Sequence, residues 1–125
     1  MAPVLEATEF VFCTAPDAPT AAKIKTLALG WFREREGISL ILERGAAETL
    51  GFDVGLPMRR IELRVHSALD GVGLTAAVAT ALGEEGIPCN FVAAFHHDHV
   101  FVPWSMAEQA LAALARLQSE ASGGT

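Results

Sequence analysis

The sequence has no long apolar run. No stretch of its 125 residues approaches the roughly 18 to 20 uninterrupted apolar residues that a membrane-spanning helix needs. The first nine residues also lack the basic region and continuous apolar core of a signal peptide, because Glu6 and Glu9 interrupt the apolar residues. We therefore expect a soluble, cytoplasmic protein with no membrane partner.

Cysteine and basic residues are also scarce. Cys13 and Cys89 are too few and too far apart for a disulfide framework or a zinc motif, so we expect buried, reduced thiols. Nine Lys and Arg residues stand against fifteen Asp and Glu residues, which leaves a net charge of -6 and argues against a nucleic-acid partner. Arg59, Arg60 and Arg64 do cluster locally, which fits either solvation of a strand or contact with an acidic ligand.

Apolar residues, by contrast, are abundant. They make up 51% of the chain, and the mean hydropathy is +0.34. A chain of this length forms one compact domain or two small half-domains that share a core. So apolar a chain has more hydrophobic surface than a monomer can bury. We therefore expect a homodimer or a higher homo-oligomer.

The second half gives the clearest pattern. Residues 60–67 alternate apolar and polar side chains, which predicts a half-buried strand. Residues 74–85 repeat apolar residues at helical spacing, and Gly86 and Pro88 predict the end of that helix. Between them, Asp70–Gly73 forms a glycine-containing loop that leads into the helix N-terminus.

Two strands and a second helix follow. Residues 87–103 predict an antiparallel hairpin that turns near His96–His99, where Asp98 best tolerates a turn conformation. Ser105 and Glu108 have the spacing of a capping box, and the apolar stripe behind them predicts a helix up to about residue 118. We therefore expect two helices to cover one face of an antiparallel sheet. The other face is left for a different element or another subunit to cover.

The first half looks like a shortened repeat of the second. Residues 9–14 predict a strand, and the prolines near residues 16–19 predict a loop in place of a helix. A hairpin over residues 26–43 with a charged tip precedes a short helix over residues 46–50, which Gly51 ends. Both halves therefore contain a hairpin, a polar tip and an alanine-rich helix.

These segments resemble a known family. Val65–Val78, Gly86–Pro103 and Arg33–Leu40 are similar to the small stand-alone ACT-domain proteins of bacteria. The resemblance implies an α+β, ferredoxin-like βαββαβ fold whose last strand comes from the N-terminal half. It also implies a regulatory module that binds a small ligand, often an amino acid, between subunits or repeats, with no catalytic role.

On this basis we divide the chain into three parts. Residues 1–58 form a truncated ACT-like half, residues 59–118 an ACT domain with a βαββα order, and residues 119–125 a disordered tail. The first half departs from the family pattern because it lacks a long first helix, and the chain carries no enzyme domain to regulate.

The glycine loop is the predicted ligand site. Backbone N–H groups at a helix N-terminus bind carboxylates, and glycine lets a ligand approach the backbone closely, although the same loop also serves as a simple turn. An aspartate at the loop or at the hairpin tip suits the ammonium group of an amino acid. The predicted ligand-binding residues are Ser67, Asp70, Gly71, Val72, Gly73, Leu74, Asn90 and Asp98.

We predict no catalytic residue, no metal and no cofactor. Alternation along a strand allows His97 and His99 to share a face but excludes His96, which weakens a metal site. Trp31, Phe32 and Trp104 suit core or interface packing. Two alternatives to the ligand-binding module are an adaptor protein that uses the fold for protein association and a metal-dependent enzyme using His96–His99.

Overall fold

The computed structural model describes residues 2–15, 18–64 and 72–123. Contacts divide the chain into an N-terminal unit of residues 8–58 and a C-terminal unit of residues 1–7 and 59–125. Strand β1 spans Ala2–Ala15, so its first residues belong to the C-terminal unit and the rest to the N-terminal unit. The division differs from the predicted one in residues 1–7.

The N-terminal unit contains two short helices and a hairpin besides β1. In chain order these elements are α1 (Ala18–Ile24), β2 (Gly30–Arg33), β3 (Ile38–Glu43) and α2 (Arg44–Thr49). The strands lie in the order β2-β3-β1 and are antiparallel, with Phe12 paired with Ile41 and Trp31 with Leu40. The predicted hairpin and short helix are therefore present, and the hairpin begins at Gly30.

Helix α1 occupies the place where the sequence predicted a loop. Pro19 is its second residue, and proline is tolerated in the first turn of a helix because that N–H has no intrahelical partner. Ala21 and Ile24 on this helix are buried, and they cover the alternating face of β3. The buried cluster of the unit consists of Val11, Ala15, Ala21, Ile24, Ile38, Leu40, Leu42 and Ala47.

The C-terminal unit contains three further strands and two long helices. These are β4 (Met58–Arg64), α3 (Val72–Glu84), β5 (Asn90–Ala93), β6 (Asp98–Pro103) and α4 (Ala107–Gly123). The strand order is β1-β4-β6-β5, so β1 takes the position of the last strand in a βαββαβ domain. The predicted α+β, ferredoxin-like fold is confirmed, including a last strand from the N-terminal half.

Both long helices pack on one face of these strands. Ile61 and Leu63 alternate with polar residues along β4 and point toward α3 and α4, as the period of two predicts. Along α3, the buried residues follow helical spacing. The buried cluster consists of Ile61, Leu63, Leu74, Val78, Leu82, Ile87, Val100, Val102, Ala107, Ala110, Ala113 and Leu114.

The two long helices begin and end differently from one another. Gly86 ends α3 with a φ of 70°, and Ile87 donates a backbone hydrogen bond of 3.0 Å to the Leu82 carbonyl, as the glycine signal predicted. Helix α4 follows a 3-10 turn over Trp104–Met106, so Ser105 lies inside that turn and the predicted capping box is not the start of the helix. Helix α4 then continues to Gly123, past Ser119, where the sequence predicted a disordered tail.

Within the described ranges, none of the helices is long and apolar enough to cross a membrane.

Candidate functional site

The predicted ligand loop leads into the N-terminus of α3. Ser67, Asp70 and Gly71 lie outside the described residues, so their roles stay predictions. Val72 is the first residue of the helix, and Gly73 is exposed. A Cβ added to Gly73 meets no heavy atom of the described residues within 4 Å, so these residues leave the space over this backbone open.

Leu74 has a different position from its neighbours. Its side chain is only 5% exposed and packs in the cluster between the helices and the strands. It therefore fixes the first turn of α3 against the sheet, and its role as a ligand contact stays a prediction.

Asp98 lies at the end of the C-terminal unit at which α3 begins. It is the first residue of β6, it pairs with Ala93, and it is half-buried. Because side chains alternate along a strand, Asp98 shares the helix-covered face with buried Val100. The end of β4 is adjacent, since His97 Nε2 lies 3.5 Å from Glu62 Oε1. Asp98 and the start of α3 are therefore at the same end of the unit and on the same side of its strands.

The hairpin turn itself lies before Asp98. Ala94 donates a backbone hydrogen bond of 3.1 Å to the His97 carbonyl, which closes the turn. No non-glycine residue in the described part of the chain has a positive φ. The expectation that Asp98 adopts a turn conformation is thus wrong, because the strand already begins there.

Asn90 lies at the opposite end of the unit. It comes six residues after Glu84, the last residue of α3, and a helix of 13 residues is about 20 Å long. Asn90 also pairs with Phe101, on the face away from the helices, since its neighbour Phe91 packs in the helix-covered core. The structure does not bring Asn90 together with Gly73 and Asp98.

A cluster of charged and imidazole groups covers the face of β4 and β6 that points away from the helices. We name Glu6, Arg60, Glu62, His97 and His99 the outer-face cluster. Arg60 Nη2 donates a hydrogen bond of 2.7 Å to Glu6 Oε1, and Glu62 lies 3.5 Å from His97. The cluster joins three neighbouring strands through side chains.

The pKa of His99, in this cluster, is lowered from its ordinary value. Burial lowers the pKa of His99, and the positive charges of Arg60 and His97 lower it further, whereas Glu62 and Glu6 oppose the change. The neutral imidazole is therefore favoured. Nδ1 of His97 and of His99 are both buried atoms, and neither finds a hydrogen-bond partner within the described segments.

Comparisons with known proteins agree with this architecture. Residues 1–59 and residues 57–116 each match a family model described as an ACT domain. A Vibrio cholerae protein of unknown function, described as a possible transport protein, is 44% identical, with a TM-score of 0.82 over 90% of this chain and 86% of that one. The chain belongs to the ACT-domain family.

Two solved structures of low sequence identity share the fold alone. The regulatory subunit of aspartate kinase from Thermus flavus is 14% identical, with a TM-score of 0.62 over 93% of this chain and 96% of that one. The aspartokinase alpha and beta subunits are 13% identical, with a TM-score of 0.66 over 93% and 96%. No curated protein matches the sequence. ACT domains are in general regulatory, non-catalytic modules, which supports a regulatory ligand-binding role.

The described part of this ACT protein brings histidines and glutamates together in the outer-face cluster, but not in an arrangement that could hold a metal ion. His97 and His99 both approach Glu62, as strand alternation predicts, while His96 is exposed and stacks edge-on against Phe95. Among residues 2–15, 18–64 and 72–123, no three His, Cys, Asp or Glu side chains meet in a way that could hold a metal ion. Burial raises the pKa of the half-buried Cys13 and Cys89 thiols, which favours their unreactive protonated form.

Glu6 is a partner of Arg60 that the sequence patterns did not predict. It lies 54 positions before Arg60, and no local pattern connects them. The available signal was the polar set Arg60, Glu62 and Arg64 on one face of a strand, for which the sequence left open either solvation or contact with an acidic ligand.

Proposed function

We propose that this chain is a non-catalytic, cytoplasmic regulatory module that binds an amino acid at the start of α3. The proposal is supported by the ACT matches over both halves of the chain. One observation carries the choice of site: the 13-residue α3 begins at Val72 and Gly73, and the described residues leave the space over Gly73 open.

The start of α3 suits a carboxylate. The first four N–H groups of a helix lack intrahelical partners, and the helix dipole places partial positive charge there. Without a Cβ at Gly73, a ligand carboxylate approaches these groups closely. Ser67, Asp70 and Gly71, which precede α3 in the sequence, complete the proposed site as predictions from the sequence.

Asp98 is the proposed partner of the ligand's ammonium group. Its carboxylate belongs to the same end and the same side of the C-terminal unit as the start of α3. A charge-assisted hydrogen bond to an ammonium group is about twice as strong as a neutral one. Asn90 does not belong to the proposed site, because it lies at the other end of α3.

Thermal denaturation in the presence of each of the twenty amino acids tests the proposal. At 100 times its Kd, a ligand stabilises the folded state by about 2.7 kcal/mol. We expect at least one amino acid at millimolar concentration to raise the Tm. No shift with any of them would contradict amino-acid binding.

Two glycines of α3 provide a matched pair of variants. Gly73→Ala and Gly83→Ala each place a methyl group in open space, and each favours the free helix by up to about 1 kcal/mol. We expect Gly73→Ala to abolish the ligand-induced shift and Gly83→Ala to retain it. Asp98→Asn should weaken binding of the amino acid more than binding of its deaminated carboxylate analogue. Equal behaviour of the two glycine variants would reject this site.

Exposed aromatic side chains favour a second role in association. Trp31 and Phe32 on β2 are 50% and 72% exposed, and apolar surface of this kind marks protein contacts. We propose that these residues contribute to a homo-oligomer or, alternatively, to an adaptor contact with another protein. Light scattering after size-exclusion chromatography distinguishes the cases: Phe32→Ser should shift an oligomer to monomer, and it should leave a monomeric adaptor unchanged in mass.

A further inference from the structure

Strand β2 is an edge strand of the N-terminal unit. The order β2-β3-β1 leaves one side of β2 without a neighbouring strand among the described residues. An edge strand presents unpaired backbone N–H and C=O groups, which form a template for a further strand, and charged residues usually protect such edges. Strand β2 has only one charged residue, Arg33, beside the exposed aromatic residues Trp31 and Phe32.

The backbone groups of Trp31 and Arg33 face this free edge. Glu34 donates a backbone hydrogen bond of 2.9 Å to the Gly37 carbonyl, which closes the hairpin. Bonded and non-bonded pairs alternate along an antiparallel ladder, so Phe32 is bonded to β3, whereas Trp31 and Arg33 lie in non-bonded pairs. The N–H and C=O groups of these two residues therefore point away from β3.

The free edge ends at Leu29. Its N–H donates a hydrogen bond of 2.8 Å to the Ile41 carbonyl, although Ile41 is paired with Gly30 in the ladder. Two residues therefore oppose one at this point, as in a β-bulge, and the Leu29 N–H is not available to another strand. Trp31 and Arg33 are the residues of β2 whose backbone groups remain for a partner.

The side chains of β2 place an indole and a cation on the same face. Trp31 shares the face of its cross-strand partner Leu40, and Lys25 Nζ lies 4.2 Å from the centroid of the Trp31 ring. Half of Trp31 stays exposed. Arg33 lies two positions further along the same face, and it forms no ion pair in the described part of the chain. Phe32 is exposed on the opposite face.

We infer that β2 pairs antiparallel with β2 of a second copy of this chain, with the two Phe32 residues opposite each other on a twofold axis. The inference rests on the association role proposed above. Trp31 then lies opposite the partner's Arg33, and the outward N–H and C=O groups of both residues form four backbone hydrogen bonds across the axis. Because opposite residues share a face, each Trp31 ring receives a guanidinium group in a cation–π contact.

A shift of the strands by two residues in either direction gives a poorer match. With Trp31 on the axis, Leu29 would lie opposite the partner's Arg33, but the Leu29 N–H is already bonded to Ile41. With Arg33 on the axis, two guanidinium groups would lie directly opposite each other, which is destabilising. The backbone and the charges of β2 thus both favour the register centred on Phe32.

Single cysteines along β2 test this register in the full chain. Phe32→Cys places two thiols in a non-bonded pair, where the Cα atoms are about 4.5 Å apart and a disulfide can form. Trp31→Cys and Arg33→Cys place them about 8 Å apart, beyond that range. After equilibration in a glutathione redox buffer, non-reducing electrophoresis measures the linked dimer. We expect at least ten times more of it from Phe32→Cys than from Leu56→Cys, whose exposed site measures random collision.

Two charge-neutral variants test the contact between Trp31 and the partner's Arg33. Arg33→Gln removes both guanidinium groups from the interface and should raise the dissociation constant of the dimer at least fivefold in sedimentation equilibrium. Arg35→Gln, at the exposed tip of the same hairpin, removes the same charge and should change that constant less than twofold. Circular dichroism verifies that each variant folds.

The possible failures separate the inference from the association role on which it rests. A parent chain that stays monomeric at millimolar concentration would reject both. A parent dimer in which Phe32→Cys links no better than Leu56→Cys would reject β2 pairing alone, as would a mass that grows beyond the dimer, which indicates a head-to-tail contact. Stronger linking of Trp31→Cys or Arg33→Cys, or equal effects of the two charge-neutral variants, would overturn the register.

Discussion

The two units of this ACT protein share an order of elements but differ in their helices. Each has a hairpin of a four-residue and a six-residue strand. The helices, however, have 7 and 6 residues in the N-terminal unit and 13 and 17 in the C-terminal unit. The strands thus have a similar arrangement in both units, and the units differ mainly in the length of their helices.

The buried clusters differ in the same direction. The C-terminal cluster draws residues from both long helices, whereas α2 contributes only Ala47 to the N-terminal cluster. Burial of apolar side chains is the main favourable term in folding, so the helix layer should make the C-terminal core the more sensitive to truncation.

The largest expected effect comes from truncating one buried leucine in the core of each unit. Leu82 on α3 and Leu42 on β3 are both fully buried, so each replacement by alanine removes the same atoms. We expect Leu82→Ala to lower the free energy of unfolding by about 3 to 5 kcal/mol and Leu42→Ala by about 2 to 3 kcal/mol, because a smaller core relaxes more easily around a cavity. Urea denaturation followed by circular dichroism measures both.

Leu56→Ala is the control for these variants. Leu56 is 85% exposed, so its truncation should change stability by less than about 0.5 kcal/mol. A larger loss for Leu42→Ala than for Leu82→Ala would show that helix length does not set the robustness of the core.

Glycines at the helix ends test a feature that the units share. Gly51 after α2 and Gly86 after α3 have φ angles of 86° and 70°, and no atom crowds either position. Alanine at either site should therefore cost about 1 to 2 kcal/mol through backbone strain alone. Gly45→Ala, inside α2, should be neutral or stabilising, and urea denaturation of the three variants would expose any difference in how the two helices end.

Two ion pairs of β1 provide a smaller contrast. Glu6 pairs with Arg60 at 2.7 Å, where the side chains are 29% and 17% exposed, and Glu9 pairs with Arg44 at 2.8 Å, where Arg44 is 47% exposed. We expect Glu6→Gln to cost about 1 kcal/mol and Glu9→Gln about 0.3 kcal/mol, since exposed pairs contribute little. In 0.5 M salt the Glu9 effect should vanish first, and the reverse order would contradict the difference in burial.

The sequence predicted elements better than it predicted their ends. The alternation in β4 and the helical spacing of α3 are local patterns, so both elements appear where they were predicted. Helix α1 was missed because proline was weighted as a helix breaker, although it is tolerated in a first turn. Of the two short helices in the N-terminal unit, only α1 was therefore missed, whereas α2 appears where it was predicted.

The candidate site was harder still. Asn90 and Gly73 lie only 17 positions apart, but the length of α3 separates them to opposite ends of the unit. The pairing of Glu6 with Arg60 depends on the strand order, which periodicity along the chain does not encode. Local spacing therefore identified the kinds of side chain and could not decide which of them meet.

Histidine provides the last and smallest contrast between the units. All four histidines follow residue 58, and residues 8–58 contain none. Burial, then Arg60 and His97, lower the pKa of His99 from its ordinary value of about 6.5. Its neutral form therefore contributes stability in full above about pH 6.5, and that contribution is lost as the pH falls toward the pKa of the folded state.

The two tryptophans allow this effect to be measured in each unit, since Trp31 lies in the N-terminal unit and Trp104 in the C-terminal unit. In a Trp31→Phe background, the urea midpoint reported by Trp104 should fall between pH 7.5 and pH 5.5, and His99→Gln should reduce that fall. His96→Gln, at the exposed turn, is the matched control and should retain it. An undiminished fall in the His99 variant would mean that another group, and not the half-buried imidazole of His99, makes this unit sensitive to acid.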